Sequence, residues 1–246
     1  MDRTEGRSVR PRPVGGLRSS PRPGGGGWSG LGSGSGCPAH ATHVRPTRSN
    51  SGCGFDRLAA RVANLRATHP DKVVEVWAED EARLGLKPIA RRVWSLKGHR
   101  PRSNGQSKFE SLYVFGFTHP ATGRCRTLIQ PKANTGTMGT ALADFAGWAD
   151  PDGRKMLVVI ADNAGWHMAG KLAVPPNVVL HHLPSCTPEL QPAEPLWPLV
   201  RESLANKTFP TLASLEEPLG RRCQWLADHP ATVQGAVGFH WAVALA

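Results

Sequence analysis

The 246-residue sequence predicts an α/β domain, one mixed sheet flanked by helices, preceded by a disordered basic tail. Three observations carry this. Residues 1–54 hold 13 of the 27 glycines and, Trp28 aside, only scattered apolar residues, too few to offset the entropy of ordering. From Phe55 onward, strand-like runs are interleaved with helix-spaced ones. Two of the runs, KMLVVIADN and NVVLHHLPS, are apolar nearly throughout, as strands buried on both faces are.

Phe55, Leu58, Val62 and Leu65 recur at helical spacing, with Pro70 beyond the end. In VVEVWAEDEA (73–82), Val74, Val76 and Ala78 alternate with Glu75, Trp77 and Glu79, which predicts a strand with one buried face. RRVWSLKGHRP reads as a second short strand ending at Gly98. KFESLYVFGFTHPATGRCRTLIQP reads as a hairpin turning at HPATG. Met138, Leu142, Phe145 and Trp148 share one helical stripe, and the two apolar strands follow. LWPLVRESLANKTF and SLEEPLGRRCQWLADHP are predicted helices, the second with Ser214 as its N-cap. The ordered part, 55–246, is a single layered domain without internal repeats.

Residues 1–54 carry eight arginines, no lysine and two acids, so +6 of the chain's formal +11 lies there. A flexible basic arm can bind nucleic-acid phosphates, but a solvated tail, or upstream sequence never selected as protein, is the favoured reading. Cys37, His40, His43 and Cys53 could be drawn as a zinc site, but a Gly/Ser/Arg tract gives them no frame. The five cysteines form no CxxC pair and are expected as reduced thiols of a cytosolic protein. No apolar run reaches the roughly 18 residues of a membrane span, and the first residues lack a signal-peptide core.

Asp80 and Asp162 each close an apolar strand, where ligands gather in open α/β sheets. A third carboxylate lies in LPSCTPELQPAEPLW (183–197), whose four prolines restrict the chain. There Glu189 follows Pro188 in a turn, while Glu194 sits between Pro192 and Pro195 at the entrance to a helix. Two Asp and one Glu from separate elements make an oxygen-only site suited to Mg²⁺ or Mn²⁺. The basic residues Arg83, Lys87, Arg91, Arg92, Lys97, Arg100 and Arg102 near Asp80 suit a phosphate backbone, or form a solvated face.

EDEARLG (79–85), DNAGWH (162–167) and LPSCTPELQPAEPLW, in that order, resemble the catalytic core of mariner-like DDE transposases, especially the bacterial insertion sequence 630 group. The resemblance spans about residues 55–246. It implies an RNase H-like fold and a metal-dependent endonuclease and strand transferase. Its catalytic, metal-binding residues would be Asp80, Asp162 and Glu194, holding two Mg²⁺ ions, with Mn²⁺ as a substitute. Glu81, Asn163 and His167 match the motifs as supporting groups, and Trp197 as a local anchor. It also implies double-stranded DNA as partner (element ends and target), a homodimer, and a cytoplasmic, nucleoid-associated location.

Two departures stand out. Only 31 residues separate Asp162 from Glu194, a short spacing that HMAGKLAVPPN is expected to absorb. Residues 1–54 also replace the usual helix-turn-helix modules, so the chain reads as a catalytic half, truncated or encoded beside a companion helix-turn-helix chain. The other readings are an inert, basic nucleic-acid-binding remnant of a transposase and a nuclease for RNA–DNA hybrids.

Overall fold

A thirteen-residue strand, β1 (Val73–Gly85), forms the axis of the sheet. It is flanked by β2 (Ser111–Thr118) and β4 (Lys155–Ala161), and β3 (Cys125–Gln130) and β5 (Val178–His182) form the edges. The order β3-β2-β1-β4-β5 has the first three strands antiparallel and β1, β4 and β5 parallel. This is the mixed, helix-flanked, RNase H-like sheet that the resemblance implied. The computed structural model describes residues 48–102, 105–184 and 190–245, with side chains from residue 56.

Side chains alternate across a strand, and here both sets find a cover. Trp77, Phe115, Phe117, Leu157 and Val159 pack under Met138, Leu142 and Phe145 of α2 (Thr135–Ala149). Val74, Val76, Ala78, Val158 and Ile160 point the other way, under Leu58 and Val62 of α1 (Arg48–Thr68). Further along that second face, Ala82, Leu84 and Val114 are covered by α3 (Leu196–Glu202), α4 (Leu212–Asp228) and α5 (Pro230–Val237), before the final turn α6 (His240–Val243). The expectation of one buried face for β1 therefore needs correction: Trp77 and Glu79 are both fully buried.

Local chemistry explains most boundaries. Asn134 and Thr137 close a reciprocal capping box at the start of α2. The hairpin turns where expected, with Gly123 at φ 71° and its would-be Cβ only 1.9 Å from the Pro230 carbonyl. At α4 the N-cap is Thr211, and Ser214 is its box partner three residues on, so the predicted cap shifts by one turn. The helix predicted from Leu196 ends after seven residues. Beyond it Asn206 enters the left-handed region (φ 59°) and ties back to Ile89 and Arg91.

RRVWSLKGHRP is not a strand. Both edges of β1 are taken by β2 and β4, and Val93, Trp94 and Leu96 lie exposed in irregular chain. The helix expected to begin near Phe55 runs from Arg48. The disordered tail, a zinc site at Cys37, His40, His43 and Cys53, and Glu189 lie outside the described residues or side chains. No described helix is long and apolar enough to cross a membrane.

Candidate active site

The parallel register of β1 on β4 ends at Ala78 opposite Ile160. Asp80 and Asp162 each follow two residues later, so adjacent strands deliver the two predicted aspartates at the same end of the sheet. Across the antiparallel side, the residue paired with Asp80 is Gly116.

That glycine makes room for an aromatic ring. A Cβ at Gly116 would lie 2.8 Å from Trp197 Cη2 and 2.9 Å from Leu196 Cδ2. With no side chain there, the buried Trp197 lies over β2 and its indole Nε1 donates to Asp80 Oδ2 at 2.6 Å. Trp197 therefore does more than anchor a turn, because it holds the first predicted metal ligand.

The proline segment is fastened to the same strand. Gln191, buried, donates through Nε2 to the Glu79 carbonyl at 2.9 Å. Pro192 and Ala193 are buried, and the chain turns so that the Trp197 amide donates to the Glu194 carbonyl (3.2 Å). Pro195 is the N-cap of α3, and Pro198 falls in its first turn, where the amide it lacks would have had no helical partner. Glu194 is left exposed, and its charge is felt at Asp80. Burial, with the charges of Glu194 and Glu81, lifts the Asp80 carboxyl to about 7 against the opposing bond from Trp197.

Asp162 is drawn differently. Its Oδ1 accepts from the Ala164 amide and from His167 Nδ1, each at 2.8 Å. The His167 bond, outweighing partial burial, holds this carboxyl below its ordinary range. Asn163 donates to the Leu183 carbonyl at 2.7 Å, lacing the end of β4 to the end of β5.

His167 links Asp162 to the other face of β1. Its Nε2 lies 2.9 Å from Glu81 Oε1 and 3.3 Å from Glu79 Oε2, and Trp166 Nε1 donates to the same Glu81 oxygen at 2.6 Å. Burial disfavours the imidazolium, yet the bonds to Asp162 and Glu81 and the charges of both glutamates prevail, raising His167 to about 11. Nε2 carries one hydrogen and the nearer Glu81 takes it. The 3.3 Å approach to Glu79 is thus a charge contact only, and neither Glu79 oxygen has a hydrogen-bond partner. Burial and the surrounding carboxylates push Glu79 well above the usual range.

The structure thus brings Asp80 and Glu194 into electrostatic contact and gives Asp162 to His167 and Glu81. Of the residues expected as supporting groups, His167 bonds Asp162 and Glu81, and Asn163 bonds the Leu183 carbonyl. Glu79, Trp166 and Gln191 were missed as site residues; the visible signal for Glu79 was its place in the row of Trp77, a ring too large to leave in water. Arg83, Lys87, Arg91, Arg92, Lys97, Arg100 and Arg102 are all exposed.

A family model described as DDE superfamily endonuclease matches residues 75–216. The uncharacterized protein y4pE/y4sA of Sinorhizobium fredii is 37% identical over 98 residues, 39% of this chain and 71% of that protein. Among solved structures, a pre-cleavage Mos1 transpososome is similar at 12% identity and TM-score 0.48, over 76% of this chain and 61% of that one. A Mos1 transposase paired-end complex with the left transposon end is similar at 14% identity and TM-score 0.48, over 85% and 66%. The chain thus spans less than two thirds of the length of either Mos1 chain.

Proposed function

The chain belongs to the DDE superfamily endonuclease family, and from that premise we propose that it is the catalytic domain of a transposase that cuts DNA and joins strands. The observation that carries this reading is the convergence of Asp80 and Glu194. Two carboxylates from distant segments lie within electrostatic reach of each other, one raised to about 7, and no described lysine or arginine forms an ion pair with either. Such a pair fits a divalent cation, since opposite charge relieves both burial and repulsion.

Asp80, Asp162 and Glu194 would hold Mg²⁺, as two ions, with Mn²⁺ as substitute. Bound there, the metal activates the attacking oxygen and stabilises the leaving oxygen of a phosphodiester. The protein's own groups do the positioning. Trp197 fixes the Asp80 carboxylate, and His167 with the Ala164 amide fixes Asp162. Gln191 and the prolines hold Glu194 at the same strand end. The exposed basic residues from Arg83 to Arg102 would face the DNA backbone. The proposed setting is a homodimer on element ends within the bacterial cytoplasm, at the nucleoid, with a companion helix-turn-helix chain supplying sequence recognition.

The test is Mg²⁺-dependent nicking of supercoiled plasmid by the full chain. Asp80→Asn, Asp162→Asn and Glu194→Gln should each abolish it, while Glu189→Gln leaves it intact. Nicking that survives all three substitutions rejects the proposal. Salt-sensitive DNA binding indifferent to Mg²⁺, without nicking, points to an inert remnant.

A further inference from the structure

We propose that Glu79, Glu81 and His167 form a second, buried metal site that takes a zinc-class divalent ion, distinct from the carboxylates assigned to DNA cleavage. One donor atom from each residue falls in a cluster no more than 4.8 Å across. His167 Nε2 stands 2.9 Å from Glu81 Oε1 and 3.3 Å from Glu79 Oε2. Neighbouring ligands of an ion bound at about 2.1 Å are separated by roughly 3.0–3.4 Å, so the 3.3 Å pair already has the spacing of a coordination shell and the 2.9 Å pair need open only by a few tenths of an ångström.

Charge and hydrogen bonding point the same way. The Glu79 and His167 side chains are fully buried, and Glu81 is 6% exposed. Groups shut away from water in this way gain from one shared divalent ion, which engages both carboxyl groups at once. A single Nε2 hydrogen serves Glu81 alone and leaves both Glu79 oxygens without a hydrogen bond. An ion in the cluster engages all three groups. In the tautomer that donates Nδ1–H to Asp162 Oδ1 (2.8 Å), the Nε2 lone pair faces both glutamates. That is the carboxylate–histidine–metal relay by which proteins orient an imidazole ligand.

The donor set selects the ion. An imidazole nitrogen with two carboxylates suits zinc, which is content with four ligands. Mg²⁺ keeps several waters, for which an enclosed cluster has no room. The ion would tie the end of β1 to the turn after β4, and through His167 it would set the position of Asp162. It is a clamp, with no part in bond breaking.

The full chain carrying Asp80→Asn and Glu194→Gln, stripped by chelator, isolates this cluster from the other. Calorimetric titration with Zn²⁺ should show one equivalent bound. X-ray absorption should show a shell of one imidazole nitrogen with oxygens at about 2.0–2.1 Å. Adding Glu79→Gln to that background should lower the affinity at least about a hundredfold. Should that variant fail to fold, Glu81→Gln carries the same comparison. Absence of binding, an oxygen-only shell, a shell containing sulfur, or affinity unmoved by the glutamine substitution would each overturn the assignment.

Discussion

At the end of β1, consecutive residues serve two clusters of opposite character. On the α2 face, Glu79 and Glu81 are shut in with His167, side chains at most 6% exposed. On the other face, Asp80 feels the charge of the exposed Glu194, with one oxygen held by Trp197. The two-residue period of a strand is what separates them. The closed cluster is enclosed yet leaves both Glu79 oxygens without a hydrogen bond, while in the open one the Trp197 indole steadies Asp80. Asp162 belongs to both: it is more than half exposed, yet tied to the closed cluster through His167.

This contrast can be broken at the shared residue first. Asp162→Ala should lower nicking by on the order of a thousandfold and also reduce the thermal midpoint, because it removes a partner from His167. Asp80→Asn should match the loss of nicking without the loss of stability. Next is Trp197→Phe, which removes the donor together with one of the two indole rings. The Mg²⁺ concentration for half-maximal nicking should rise roughly 10–100-fold, and the urea midpoint should fall because the smaller ring leaves a cavity in the core. Gly116→Ala reaches the same contact from the opposite side. Its methyl meets Trp197 and Leu196 below 3 Å, so urea denaturation should show a loss of about 1–3 kcal/mol, accompanied by a rise in Mg²⁺ demand.

The smallest effect on nicking lies on β5. Burial, helped by Arg61, His182 and Arg57, depresses His181 to about 4. The unfolded chain takes up this proton near pH 6.5 and the folded chain only near 4, so stability falls as pH drops through that window. The slope is that of one proton. His181→Gln should flatten it in pH-resolved thermal melts, leaving the Mg²⁺ dependence of nicking untouched.

The strands β4 and β5 were legible because continuous apolar runs admit few other readings. Asp80 and Asp162 were legible as the polar residues that end such runs. Glu194 could be singled out because prolines on both sides restrict it. What escaped depends on partners distant in sequence. Beyond the row it shares with Trp77, nothing local tells that Glu79 is buried, since its cover comes from His167 and from the cross-strand residue Phe117. RRVWSLK alternates as a strand does, but alternation does not say whether a free sheet edge exists to receive it. The cap of α4 was ambiguous because Thr211 and Ser214, three apart, are each suitable, and only the structure shows which precedes the helix.

The bond from Trp197 to Asp80 joins residues 117 positions apart. Closing a loop of that length costs entropy, and pairing of the intervening strands lowers that cost. Until it closes, Asp80 has neither its clamp nor its companion Glu194. Under the proposed function, the cleavage site is therefore completed only together with the sheet, and a partly folded copy would lack it.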